Sequence, residues 1–163
     1  MRYIQASLHK TQHSFPIALV VALFNQDITQ ELLQGALRRL RANGFTEEDL
    51  TVVEVPGAVE LPLIAQYLAH QKQYGAIILF GAVIRGETTH YDYVCQQVSY
   101  GCQRVALDTE TPVIFGVLTT ENEEQALARS GGEQGHKGRD AADTAVSMID
   151  LMQHEDCACA ACE

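Results

Sequence analysis

The sequence predicts an α/β fold, a four-stranded parallel sheet with helices packed on both of its faces. Three observations predict it. Short apolar runs alternate with stretches of helical period, the signature of successive βα units. The run Ile17 to Phe24 (IALVVALF) is apolar without interruption, which is expected of a strand covered on both sides. Polar, turn-forming residues follow the carboxyl end of each run, and connections between parallel strands of this kind are right-handed.

The first unit is the strand Ile17 to Phe24, then a helix in which Leu32, Leu33, Ala36, Leu37 and Leu40 recur at helical spacing. Asp27 and Gln30 resemble a capping box at its start, and Asn43-Gly44 stops it. Leu50 to Val55 (LTVVEV) is the second strand, Pro56-Gly57 the turn, and Leu61 to His70 the second helix. Tyr74 to Phe80 (YGAIILF) is the third strand, with Gly81 to Thr89 connecting it to a long helix over Tyr91 to Leu107. Pro112 to Thr119 (PVIFGVLT) is the fourth, followed by a short helix over Glu121 to Arg129. A glycine-rich loop, Gly131 to Gly138, leads to a last helix from about Arg139 to Gln153. Ile4 to Leu8 is either an additional edge strand or a segment that pairs with a neighbouring subunit.

A chain of 163 residues is one domain, with a core over about 15–152 and a Cys-rich tail over 153–163. The formal net charge of −10 argues against nucleic acid or an anionic membrane as a partner, because both reward a basic surface. No apolar run is long enough to span a bilayer, and the first residues lack a secretory signal, so a cytoplasmic protein is expected. An odd count of five cysteines does not suit a disulfide framework. Cys95 and Cys102, seven apart in a helical pattern, read as small core residues. His154, Cys157, Cys159 and Cys162 have the composition of a soft-metal site but sit at the extreme terminus, where a frayed tail is the competing reading.

In a parallel α/β sheet, ligands bind beyond the carboxyl ends of the strands. Gly81 to Cys95 (GAVIRGETTHYDYVC) occupies one such end. Its glycines allow tight turns and close approach, and Thr88, Thr89 and His90 open a helix whose free N–H groups attract an anion. An imidazole there can accept and donate a proton near neutral pH, whereas the plainer reading is a capped helix with an exposed histidine. Glu60 lies past the second strand in a turn bounded by Pro56 and Pro62, and either bonds hydroxyls of a polyol or complements the helix dipole. Phe24 and Phe115 are either core residues or faces for a planar heterocycle. Arg129 to Arg139 (RSGGEQGHKGR) is the densest cationic cluster, and is either a surface loop or the place where Arg129 clamps a phosphate.

Five segments in order, FNQDIT (Phe24 to Thr29), VPGAVELP (Val55 to Pro62), GAVIRGETTHYDYVC, PVIFGVLTTENEEQALAR (Pro112 to Arg129) and GHKG (Gly135 to Gly138), resemble the lumazine synthase family. The resemblance spans roughly residues 15–152. It implies a flavodoxin-like α/β/α sandwich. It also implies condensation of 5-amino-6-(D-ribitylamino)uracil with 3,4-dihydroxy-2-butanone 4-phosphate to 6,7-dimethyl-8-ribityllumazine, phosphate and water, with no metal and no bound cofactor. By motif position, Phe24 stacks on the pyrimidine, Ala58 and Glu60 hold the ribityl chain, and Val83 and Ile84 line the ring pocket. Glu87, Thr88 and Arg129 bind the phosphate, His90 moves protons, and Lys137 contacts the ring. Phe115 completes the pocket from a neighbouring subunit, since sites of this family lie between adjacent members of a pentamer.

Twelve such pentamers forming an icosahedral shell, a decamer and a lone pentamer are the assemblies the resemblance allows, with riboflavin synthase as a partner. Leu23, Glu133 and His136 depart from the residues common in relatives, which have Arg, Lys and Asn there, and Glu133 bears on shell formation. The alternative function is a non-catalytic lumazine- or flavin-binding homologue, or a shell whose sites are vestigial; retention of His90 and Arg129 favours catalysis.

Overall fold

A computed structural model describes residues 1, 3–10 and 15–153 of the chain. Four parallel strands form the sheet: β1 (Ile17–Ala22), β2 (Leu50–Val55), β3 (Ala76–Ile84) and β4 (Val113–Thr120). Their order is β2-β1-β3-β4, the flavodoxin-like order up to its fourth strand. Five helices connect and cover them: α1 (Gln26–Ala42), α2 (Leu61–His70), α3 (His90–Thr109), α4 (Glu123–Arg129) and α5 (Lys137–Gln153). The predicted fold class is therefore the observed one.

Alternation along the central strands divides the core. Ile17, Leu19 and Val21 of β1, with Ile78 and Phe80 of β3, pack against Leu32, Ala36 and Leu40 of α1 and Ala142, Val146 and Ile149 of α5. Ala18, Val20, Ile77 and Leu79 face the other way, against Leu61, Ala65 and Leu68 of α2 and Val98, Cys102 and Val105 of α3. Both faces of β1 and β3 are buried, which is why their sequences carry no polar alternation. Cys95 and Cys102 do share the α3 core face, and burial pushes the Cys102 thiol up to about 12.

Several elements differ in detail from the sequence expectation. β3 runs on to Ile84, so Gly81 lies within a strand and not in a turn. Its lack of a side chain lets α2 close on the sheet, because a Cβ there would stand 3.1 Å from Leu61 Cδ1. α1 begins at Gln26 without the expected capping box; Asn25 precedes it in the left-handed region (φ 58°, ψ 46°) and makes no side-chain cap. The loop before α5 contains a small antiparallel ribbon, β5 (Ser130–Gly132) with β6 (Gly135–His136), and α5 starts at Lys137. Residues 3–10 form no strand in this chain. They lie along α1 and α5 instead: Ser7 N–H donates to Asp150 Oδ2 at 2.7 Å and Lys10 N–H to the Asn43 carbonyl at 2.8 Å. Lys10 Nζ also bonds Asp49, whose pKa is lowered to about 2 by that bond and by the Thr46 N–H. The His154, Cys157, Cys159 and Cys162 cluster lies outside the described residues, and no metal-binding cluster occurs among the described ones.

Candidate active site

A cleft of about 390 Å³ opens at the carboxyl ends of β1, β2 and β3, where the strand order reverses. Three connections build it. From the first, the sheet ladder continues past β1 through Leu23 N–H to the Val55 carbonyl (2.8 Å) and Phe24 N–H to the Pro56 carbonyl (3.1 Å). The chain then turns at Asn25, whose side-chain amide donates to the Ala82 carbonyl at 2.8 Å. This cross-link leaves Phe24 70% exposed at the cleft wall, an orientation that core packing does not explain. The left-handed backbone that makes the turn is one Asn tolerates better than most residues.

The second connection is a short 3-10 turn, Ala58–Glu60, between β2 and α2. Ala58 is buried, and the Glu60 carboxylate folds back over Gly57, where a Cβ would lie 3.2 Å from Oε2. Pro62 in the first turn of α2 needs no N–H partner, so the turn is rigid at no loss of hydrogen bonding.

The third connection, Arg85 to Thr89, ends β3 and starts α3. Val83 and Ile84 at the end of β3 line the cleft together with Gly86, Thr88 and His90. His90 is the first residue of α3; its backbone N–H donates to Thr88 Oγ1 at 3.3 Å, and Asp92 N–H to the Thr89 carbonyl at 3.0 Å. Within the described residues, the N–H groups of Glu87 and Thr88 find no intrachain acceptor. Exposed N–H groups beside the start of a 20-residue helix suit an anion.

Phe24, Ala58, Glu60, Val83, Ile84, Thr88 and His90 are thus brought together, with Glu87 on the same loop. Phe115, Lys137 and Arg129 are not. Phe115, 43% exposed on β4, shares a groove of about 350 Å³ with Lys137, whose ammonium bonds Asp140 at 2.8 Å. Arg129, at the end of α4, opens onto a third hollow and donates to the Gln125 carbonyl at 2.9 Å. The sequence reading missed Asn25, Tyr91 and Val94 as cleft residues. Val94 was available in principle, since the position four beyond His90 shares its side of a helix.

A family model described as 6,7-dimethyl-8-ribityllumazine synthase matches residues 14–153. Proteins named 6,7-dimethyl-8-ribityllumazine synthase from Coxiella burnetii strains CbuG_Q212 and RSA 493 / Nine Mile phase I are each 59% identical over 143 residues. That alignment takes in 88% of this chain and 95% of each relative; the protein of the same name from strain Dugway 5J108-111 is similar to the same extent. The matched region contains the whole sheet, all five helices and every residue that lines the cleft, and so the chain belongs to the 6,7-dimethyl-8-ribityllumazine synthase family.

Proposed function

We propose that the cleft condenses 5-amino-6-(D-ribitylamino)uracil with 3,4-dihydroxy-2-butanone 4-phosphate, as in riboflavin biosynthesis, giving 6,7-dimethyl-8-ribityllumazine, phosphate and water. The observation that carries this reading is the convergence, in one cleft of this family's fold, of an exposed aromatic ring, a carboxylate, two free N–H groups and an imidazole. Phe24 stacks on the pyrimidine, and Ala58 and Glu60 bind the ribityl chain. Val83 and Ile84 line the ring pocket, while Glu87 and Thr88 receive the phosphate. His90, on the rim between the two, moves protons.

The chemistry needs little else. The amine of the pyrimidine attacks the butanone carbonyl and water leaves as a Schiff base forms. Phosphate is eliminated, and the second amine closes the ring with loss of another water. Each step transfers a proton over a short distance, which one imidazole can relay. Holding two small molecules in reacting geometry contributes up to about 7–11 kcal/mol. A phosphate on helix N–H groups leaves as an anion already stabilised.

Phe115, Lys137 and Arg129 act from a second copy of the chain, which sets its β4 edge and α4–α5 loop across the cleft. What supports this is that all three are exposed or half-exposed on hollows separate from the cleft, and that half of a two-substrate site is otherwise lacking a cation. The assembly is a pentamer, alone, paired as a decamer or built into a shell of twelve, with riboflavin synthase as a candidate partner and the cytoplasm as its location. No helix among the described residues is long and apolar enough to cross a membrane.

Mixing the protein with both substrates and following lumazine fluorescence tests the activity. Product above the spontaneous rate is expected; tight ligand binding with no excess product would identify a binding protein instead. Light scattering distinguishes the assemblies.

A further inference from the structure

Arg85 stands between β3 and the loop that carries the anion-binding N–H groups. Its backbone N–H donates to the Thr120 carbonyl at 2.9 Å. Its Nε donates to Glu121 Oε2 at 2.7 Å, and a terminal guanidinium nitrogen to Asp92 Oδ1 at 3.1 Å. The guanidinium carbon also lies 4.1 Å from the centre of the Tyr91 ring, within cation–π range. One side chain therefore ties the ends of two strands to the first turn of α3, and two of its partners directly follow His90.

Exposed ion pairs add little to stability, and the Arg85 side chain is 36% exposed. Geometry is another matter. A planar guanidinium fixes several acceptors at set angles, which an ammonium cannot do. The loop it brackets has little else to hold it: a Cβ at Gly86 would meet nothing within 4 Å, and Glu87 and Thr88 N–H groups are free of intrachain acceptors among the described residues. Arg85 does not line the cleft, and two carboxylates already compensate its charge.

We propose that Arg85 is a positioning residue, whose bridge from Glu121 to Asp92 and Tyr91 keeps the N–H groups of Glu87 and Thr88 in register with the imidazole of His90. This rests on the reading of the cleft as the lumazine-forming site. Arg85 touches neither substrate. It acts by setting where the leaving phosphate sits relative to the proton relay.

The test compares wild type with Arg85→Gln, Arg85→Lys and Glu121→Gln. Arg85→Gln is expected to lower kcat/KM for the butanone phosphate by roughly 10- to 100-fold, the cost of an ångström-scale misplacement. Pyrimidine affinity and Tm should hardly change, and amide hydrogen exchange over residues 86–90 should quicken. Arg85→Lys should not rescue, and Glu121→Gln should fall between. Unchanged phosphate KM and exchange, full rescue by Lys, or an equal loss for both substrates with a lowered Tm would each overturn the proposal. If Arg85→Gln fails to fold, Arg85→Lys and Glu121→Gln decide by the same readouts. A wild type without activity refutes the functional reading alone, since amide exchange still judges the bridge.

Discussion

Two glycine-bearing loops of this chain have similar composition and opposite mechanics. The loop from Gly86 to Thr89 stands clear of the fold, with open space around Gly86 and fixed points only at its ends. The loop from Ser130 to His136 is pinned from within. Its ribbon pairs Ser130 with His136, and the His136 ring lies where a side chain on Gly35 of α1 would have to go. Gly138, just beyond, lets α5 press on the Leu32 carbonyl of α1 in the same way. Glycine in the first loop leaves room for a ligand; beside the second, Gly35 of α1 and Gly138 of α5 leave out side chains so that His136 and α5 can close on α1. A polar, glycine-rich stretch is therefore open or closed according to the element facing it, which composition does not report.

The largest effects are expected where the two loops are used together. His90→Ala should slow turnover by about 10²-fold, the low end for a general acid–base group, because amine–ketone condensation also proceeds unaided. Arg129→Ala should mainly raise the KM for the phosphate substrate, by roughly tenfold or more for a lost charge-assisted bond. If the cleft of one copy works with the α4–α5 loop of another, the two impaired chains refolded together should recover part of the wild-type activity in mixed assemblies. No recovery, with both variants assembled, would put both residues in one chain's site and break the proposed division of labour.

Next in size is the helix contact. Gly138→Ala places a methyl against the backbone of Leu32, and backbone cannot swing aside as a side chain can. A loss of about 1–3 kcal/mol is expected, read by urea unfolding, as for other overpacked interiors. An unchanged midpoint would mean that α5 is free to slide on α1, and the second loop would then be no more constrained than the first.

These cases also mark how far the sequence was readable. The apolar strand runs, the helical periods and the turns between them were legible because each is a local property of the chain. Phe24, Glu60, Thr88 and His90 were legible as candidates because strand ends and helix starts are where a ligand meets free backbone groups. Gly81 was misplaced in a turn because its reason is α2 packing across the sheet, which involves Leu61, twenty residues earlier. The capping box expected of Asp27 and Gln30 is absent, and the turn is held instead by Asn25, whose partner is the Ala82 carbonyl on another strand. The separation of Phe115 from the cleft was implied by the family resemblance, whereas that of Lys137 and Arg129 followed only from three-dimensional geometry. No pattern along one chain reports which side of a sheet edge a second chain will use.

A smaller effect should appear with acid. Both ring nitrogens of His136 are buried without a hydrogen-bond partner among the described residues. Burial lowers its pKa from the usual 6.5, and Arg38 of α1 and Arg139 of α5 push the same way, against weaker opposite contributions from Glu31 and Asp140. The folded state thus favours the neutral ring. Stability from this site is complete above the ordinary histidine range and is lost as pH falls through it toward the lowered folded value. Melting followed from pH 8 to pH 5 should fall more steeply for wild type than for His136→Asn. Parallel curves would show that the ring gains a partner on protonation, and the loop would be less tightly wedged than its contacts indicate.

The smallest effect is expected at Gly86, and it is the sharpest check on the contrast between the loops. Gly86 has no left-handed backbone requirement, and an added methyl would meet no protein atom. Gly86→Ala should therefore leave Tm within the range of an ordinary surface change, about 0.5 kcal/mol or less. Yet the space it enters is the cleft, beside the N–H groups assigned to the phosphate. A rise in phosphate KM with unaltered stability would show that the opening serves the ligand. A stability loss like that of Gly138→Ala would mean that another part of the protein fills this space, and the first loop would then be as closed as the second.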